Sequence, residues 1–425
     1  MEYHDTIQFG YYEGFGKYQS LYLTSAERMQ HCYIVGQTGT GKSTLLKNLL
    51  IQDIHAGRGC GLIDMHGDLA RELLDFIPQR RIEDTVYFDA GDTKHPFAWN
   101  LLHADDPEGK DLVVSGVVSA FRSIWGESWG QNLDYYLSMG VKTIVLAGGE
   151  PFLGVARLFS ETTYRERILK RVDDPFIQHF WQNEFGKRAK ADQGQAISPI
   201  LNRIGKLGLN PAVRNIFGQT KSKTSAERIM ERGSVFIANL SKGSVGEDNA
   251  SLMGAMMLSQ FYLSALKRKT LAEEKRRPFY LSIDEFQNIG SDNFATILSE
   301  VHKYALGMTL AHQYMAQLRE VVWDAISGNV GTMLALRVGE RDAAILTRQY
   351  GNIYPPEAFT ARKNFEVLAK LVSNQSFREP VVATTYAHNS LEHLRRGHRA
   401  RIIDRSRRRF ATKQALVEGQ LRRWM

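Results

Sequence analysis

The stretch Gly36-Gln-Thr-Gly-Thr-Gly41-Lys42-Ser43 constrains this chain more than any other. Glycine at 36, 39 and 41 admits backbone paths that side chains hinder. An apolar, β-rich run (His31–Val35) comes before it and a helix-like run (Ser43–His55) after it. A Gly-x4-Gly-Lys-Ser loop in that context turns its N–H groups toward phosphate oxygens, and the helix start adds partial positive charge. Gly36, Thr38, Gly39, Thr40, Gly41, Lys42, Ser43 and Thr44 are therefore the expected nucleotide-binding residues. Lys42 is expected on the β- and γ-phosphates and the Ser43 hydroxyl on Mg²⁺. The plain alternative is a glycine-rich turn beside a surface lysine.

Buried-strand candidates recur along the chain at Cys60–Ile63, Thr85–Asp89, Val235–Leu240, Phe279–Ile283, Gly307–Ala311 and Thr332–Leu336. Short apolar runs separated by helical stretches predict an α/β fold with a mostly parallel central sheet. The Tyr- and Gly-rich segment Gly10–Leu23 reads as a hairpin. Ligands bind such sheets at the carboxyl ends of the strands. There Phe279–Ile283 delivers Asp284, suited to Mg²⁺, and Glu285, suited to activating water. Gly307–Ala311 delivers His312 and Gln313, and a neutral amide at Gln313 can sense the γ-phosphate and orient the attacking water. Asp64-Met-His66-Gly-Asp68 offers too few ligands for a metal site of its own. It reads as a turn, plain or in contact with nucleotide or a neighbouring subunit.

Between about Asp105 and Arg232 helical patterns dominate. The expected division is 1–104 and 233–390 as two parts of a nucleotide-binding domain, 105–232 as an inserted all-α domain, and 391–425 as a basic tail. A length of 425 residues accommodates that plan. The net charge of +8 lies entirely in Leu391–Met425, and the rest of the chain is neutral. The two cysteines, Cys32 and Cys60, lie in apolar runs and point to a reducing compartment without a metal cluster. The N-terminus lacks a signal-peptide pattern. Asn249–Leu266, the longest uncharged run, is too polar for a membrane span and reads as a buried helix. The expected location is cytoplasmic.

With these residues in view, the chain resembles the FtsK/HerA superfamily of hexameric DNA-pumping ATPases, and most of all its conjugative coupling-protein branch (TraG/TraD type). The resemblance rests on GQTGTGKST at 36–44, IDMHGD at 63–68, LSIDEFQNI at 281–289, LAHQ at 310–313, and the helical insertion between the nucleotide motifs, with its stretches AFRSIWGESWG at 120–130 and PFIQHFWQNEF at 175–185. It covers most of residues 25–350. It implies a RecA-like P-loop NTPase fold with an inserted all-α domain, ATP and Mg²⁺ as cofactors, and a homohexamer with nucleotide between neighbours and DNA in the channel. Lys42, Glu285 and Gln313 match the family's catalytic positions, and Ser43 and Asp284 its metal positions. Relaxosome, secretion-channel or effector proteins are the implied partners. Membrane-bound members begin with transmembrane helices, so any envelope attachment here is expected through a partner. The N-terminal barrel of the HerA type is not expected either. Where members often carry Arg-Lys before the glutamine strand, this chain has His302-Lys303. A neutral imidazole cannot replace a guanidinium, so Arg337, Arg341 or Arg348 is the candidate arginine supplied across the ring, with a plain surface arginine as the alternative for each.

Trp125, Trp129, Phe176, Phe180, Trp181 and Phe185 in the insertion read as core in preference to a base-stacking platform. Lys187, Arg188 and Lys190 read as a solvated loop or as phosphate contacts. The eight arginines of Arg395–Arg409 suit nucleic acid, a solvated face or a dock for an acidic neighbouring subunit. The leading functional expectation is a DNA-translocating ATPase acting in conjugative transfer. Its rivals are a same-fold ATPase partnered with a nuclease or effector in phage defence, and a nucleotide-gated ring scaffold that moves nothing.

Overall fold

Strands buried on both faces read as unbroken apolar runs, whereas half-exposed strands alternate. A computed structural model of the chain describes residues 6–14, 16–104, 107–126, 129–290, 293–373, 376–377 and 379–425, and shows both kinds in one sheet. The expected boundary at Asp105, the first five residues, and Glu127 and Ser128 of the aromatic stretch lie outside the described residues. The strands are β1 (Thr6–Gly14), β2 (Lys17–Thr24), β3 (Cys32–Val35), β4 (Gly59–Asp64), β5 (Thr85–Asp89), β6 (Val235–Asn239), β7 (Phe279–Ile283), β8 (Leu306–His312), β9 (Thr332–Ala335), β10 (Glu366–Lys370), the short pair β11 (Val372–Ser373) and β12 (Ser376–Phe377), and β13 (Val381–Thr385).

Among the described residues the main sheet has eleven strands in the order β2-β1-β13-β10-β9-β3-β8-β7-β4-β6-β5. From β9 to β6 every recorded ladder is parallel. These strands are buried along their whole length. From β9 outward to β2 the ladders are antiparallel, and β1 and β2 mix buried residues with half-exposed and exposed ones. The hairpin expected at Gly10–Leu23 is β1–β2, and it joins the main sheet through β13. Strands β10 and β13 are additions that the apolar runs do not announce. The fold is thus α/β on a mostly parallel central sheet, as expected.

The chain divides into two compact units. One comprises 1–88, 227–239 and 264–405; the other comprises 89–226, 240–263 and 406–425. The first holds the sheet. Its apolar core runs from Ile7 and Phe9 through Leu45, Leu46 and Ile54 to Leu334, Val367 and Ile402. Burial pushes the thiols of Cys32 and Cys60 up to about 12, so neither is reactive at neutral pH.

In the second unit the described residues of 107–226 form helices and turns with no strand. Two of the helices start on a side-chain cap followed by proline at the first helical position. Asp174 accepts from the Phe176 and Ile177 N–H groups, and Asn210 from those of Ala212 and Val213. Phe180, Trp181 and Phe185 lie in a buried π-helical turn, with Trp181 Nε1 donating to Thr143 Oγ1 at 2.9 Å. Trp125 and Trp129 are half-buried beneath the Arg203 guanidinium. Phe176 alone of the six aromatics is largely exposed, at 59%. Lys187 and Arg188 are exposed. The uncharged run at 249–266 lies within the helix Glu247–Lys267 and is mostly buried. Among the described residues no helix is long and apolar enough to cross a membrane.

The arginine-rich segment forms the helix Arg399–Phe410, and Gln414–Trp424 follows as another. Its charges meet acids of the same chain. Arg395 and Arg399 donate to Asp75 Oδ2 at 2.9 and 2.7 Å, Arg405 pairs with Glu83, and Arg407 donates to Asp92 at 2.6 Å. Arg395, Arg399, Arg405 and Arg407 thus pair within one chain, an arrangement that none of the expected readings names.

Candidate functional site

The phosphate-binding loop connects β3 to the helix Lys42–His55. Gly39 (φ 79°) and Gly41 (φ 115°) adopt backbone conformations that side chains disfavour. A Cβ on Gly36 would come within 2.8 Å of Leu336 Cβ. The Gln37 N–H donates to Arg337 O at 2.8 Å, and Thr40 Oγ1 donates to Gln37 O at 2.7 Å, so the loop is braced before any ligand arrives. Gln37, Thr38 and Gly39 form its exposed crest, while Thr40 and Lys42 are buried. Ser43 is exposed and Thr44 half-buried in the first turn of the helix.

Lys42 folds over the first half of the loop, donating to Gly36 O at 2.5 Å and Gln37 O at 3.1 Å. Burial draws its ammonium below the usual lysine range, and the carboxylates of Glu285 and Asp284 oppose that shift. Ser43 Oγ donates to Asp284 Oδ2 at 3.3 Å. Asp284 is pushed up to about 6, first by burial, then by its neighbours Asp64 and Glu285, with Lys42 acting the other way. A hard cation would offset that crowding of negative charge. The hydroxyl and carboxylate oxygens of Ser43 and Asp284 are the donor types Mg²⁺ takes when phosphates and water complete its shell.

Successive side chains of a strand point to opposite faces. Glu285 leaves β7 in the left-handed conformation (φ 54°, ψ 47°), so the carboxylate after Asp284 also turns toward the loop. Such a conformation costs a non-glycine residue roughly 1 kcal/mol or more. Gln313 Nε2 donates to Glu285 Oε1 at 2.9 Å, and Gln287 Nε2 donates to Glu285 Oε2 at 2.5 Å. Gln313 Oε1 accepts from Thr38 Oγ1 at 3.2 Å. A hydrogen-bonded path therefore runs from the crest of the loop to the Glu285 carboxylate.

The structure brings Thr38, Lys42, Ser43, Asp284, Glu285 and Gln313 together. Arg337 lies apart from that path. Its carbonyl supports the loop, and its Nη1 donates to Arg362 O at 3.5 Å. Arg341 and Arg348 are exposed on the helix Glu340–Gln349, and His302 and Lys303 are exposed before β8. Asp64 is fully buried and organises the turn after β4, accepting from His66 N at 2.9 Å and Ala70 N at 2.8 Å. The exposed His66 ring carries Nε2 to 3.9 Å from Glu285 Oε1. Two contributors escape a sequence reading: Gln287, although it lies two residues beyond Glu285, and the Asp64 carboxylate as a source of charge beside Asp284.

Comparison with known proteins gives the setting for this geometry. Residues 278–350 match the family model TraG-D_C, described as the TraM recognition site of TraD and TraG. That segment contains Asp284, Glu285, Gln313 and Arg337. No curated protein sequence matches the chain. Among solved structures, the bacterial conjugative coupling protein TrwBΔN70 is similar at a TM-score of 0.60 and 14% identity over 86% of each chain. TrwB with the non-hydrolysable ATP analogue ADPNP gives 0.60 and 14%, over 85% of this chain and 86% of that one. VirB4 of Thermoanaerobacter pseudethanolicus gives 0.57 and 13%, over 90% and 96%. With the loop and strand-end carboxylates in place on this sheet, the chain has the P-loop ATPase fold of the conjugative coupling proteins, and its residues 278–350 carry their TraG/TraD family match.

Proposed function

We propose that this chain is an ATP-driven, DNA-translocating motor of the coupling-protein type, hydrolysing ATP between the subunits of a homohexamer in conjugative DNA transfer. One observation carries the reading: a braced phosphate loop whose Thr38, Lys42 and Ser43 lie within a short hydrogen-bonded network of Asp284, Glu285 and Gln313. TrwB, similar in fold, has been solved with ADPNP and with ADP and Mg²⁺, which supports ATP and Mg²⁺ as the ligands here.

In this reading the backbone of Gly36, Gly39 and Gly41, with Thr40 and Thr44 beside it, grips the phosphates, and Lys42 turns from the loop carbonyls to the β- and γ-oxygens. Ser43 and Asp284 would hold Mg²⁺, which when bound neutralises charge on those oxygens. Glu285 takes a proton from the attacking water, and Gln313 positions that water and reports on the γ-phosphate through Thr38. Arg337, or Arg341 or Arg348 on the next helix, serves the neighbouring subunit's nucleotide. The insertion 105–232 acts as the all-α domain between the two nucleotide-binding parts, 1–104 and 233–390, with 391–425 as the basic tail. The TraM-recognition match supports a relaxosome partner. Secretion-channel or effector proteins would supply any membrane attachment.

The test is ATPase rate against added single- and double-stranded DNA, with mass measured in the presence of nucleotide. DNA-stimulated turnover and a ring-sized particle are expected. Slow turnover indifferent to DNA would favour a nucleotide-gated scaffold. Glu285→Gln should bind ATP yet turn over about a hundredfold more slowly, whereas Lys42→Ala should weaken binding itself. Wild-type turnover by Glu285→Gln would overturn the base assignment.

A further inference from the structure

The groups assigned to hydrolysis lie on one side of the loop. Strands β7 and β8, which deliver Asp284, Glu285 and Gln313, are on one flank of β3, and β9 and β10 are on the other. Thr38, in the first half of the loop, bonds Gln313, so the terminal phosphate belongs on the β8 flank. The rest of a nucleotide then leaves over the second half of the loop, past Gly41 and the helix start, toward β9 and β10.

Phe365 stands on that route. It precedes β10 in the left-handed region at φ 68°, where a bulky side chain is an outlier. Its N–H donates to Thr40 O at 2.9 Å, and its carbonyl accepts from Thr385 N at 2.7 Å and Thr385 Oγ1 at 3.1 Å. A Cβ on Gly41 would meet the ring at 2.8 Å, so the aromatic edge rests directly on the loop. The residue is only half-buried. Glycine would make the same backbone bonds without strain. The chain instead keeps a half-buried phenylalanine against Gly41, at the start of the helix Lys42–His55.

We infer that Phe365 is a specificity-determining residue of the nucleotide site, stacking against the base of the bound nucleoside triphosphate. The inference rests on the reading of Gly36–Ser43 as the triphosphate cradle. Every base offers a π-face, and the larger purine ring covers more of the phenyl group, so purine nucleotides should bind ahead of pyrimidine ones.

Calorimetric titration of the full chain with ATP, CTP and inorganic tripolyphosphate, each with Mg²⁺, tests it on wild type, Phe365→Gly, Phe365→Trp and Lys42→Ala. Glycine suits the left-handed backbone, so Phe365→Gly removes the ring without adding strain. It should lose about tenfold in ATP affinity, keep its tripolyphosphate affinity within about twofold, and no longer separate ATP from CTP. Phe365→Trp should retain ATP affinity, and its added emission should respond to ATP but not to tripolyphosphate. Equal loss of ATP and tripolyphosphate affinity in Phe365→Gly, or loss of neither, would overturn the base contact and leave the cradle standing. Lys42→Ala should lose both ligands. If wild type bound neither, the cradle reading would fall and the base contact with it.

Discussion

At the residue scale, a buried imidazole ties the loop strand to its neighbour. His31 Nδ1 accepts from Met308 N at 3.1 Å, and Nε2 lies 2.9 Å from Leu298 O. Both partners are fixed backbone groups, so the ring is neutral with its proton on Nε2. Adding a proton at Nδ1 would confront the Met308 N–H. Burial lowers the pKa to about 4; the Leu298 carbonyl opposes the shift and His302 adds to it. The unfolded ring titrates near 6.5 and so binds more protons than the folded one between those values. The stabilisation is therefore complete above about pH 6.5 and lost as pH falls toward 4, on the order of 3 kcal/mol over that whole window. Urea midpoints at pH 7.5 and 5 should show the drop. His31→Asn, which tolerates the left-handed backbone, should start lower and fall less. The motif-bearing residues were legible because Lys42, Ser43, Asp284, Glu285 and Gln313 each sit at a strand end or loop with a recognisable pattern. His31 and Phe365 were not, because their positive φ carries no glycine or asparagine to mark it.

At the element scale, the helix Lys42–His55 is buried on nearly all sides, so it shows no clean apolar stripe and holds its charges inside. Asp53 accepts a two-pronged bond from Arg28 at 2.7 and 2.6 Å and another from Arg58 at 2.7 Å, with Arg28 stacked over Tyr280. Asp53→Ala would leave the buried Arg28 guanidinium unpaired and should cost about 3–5 kcal/mol in denaturant unfolding. A smaller loss would mean that water reaches Arg28. The parallel strands were legible for the reason that they are buried: CYIV, FYLSI and TMLA are predominantly apolar runs without a charge. Strands β10 and β13 were not. EVLAK and VVATT are short, carry charge or threonine, and lie toward the half-exposed antiparallel end of the sheet.

At the scale of the molecule, each unit draws on distant parts of the sequence, which no local pattern reveals. The second unit is finished by 406–425, where Val417 and Leu421 are buried and Trp424 Nε1 donates to Glu150 Oε2 at 3.0 Å. Leu421 presses on Gly218, where a Cβ would meet its Cδ2 at 2.7 Å. Leu421→Ala should therefore cost about 2–4 kcal/mol, read as faster amide exchange in the helix Pro211–Phe217. Unchanged exchange there would separate the C-terminal helix from the stability of this unit. The same packing decides how the arginine-rich segment can be probed. Deleting 395–425 would strip Ile402, Val417 and Leu421 from their cores, so the salt dependence of DNA binding has to be tested by substituting charges one at a time.

The position of β3 in the sheet order has a consequence for synthesis. Its partners β8 and β9 begin at Leu306 and Thr332, so a nascent chain carries CYIV and the glycine loop out of the ribosome long before either neighbour exists. At about 5–20 residues per second the wait lasts on the order of tens of seconds. Throughout it β3 has no pairing partner, although β4 and β6 can already pair with each other, so the phosphate loop is among the last parts of the sheet to be fixed in place.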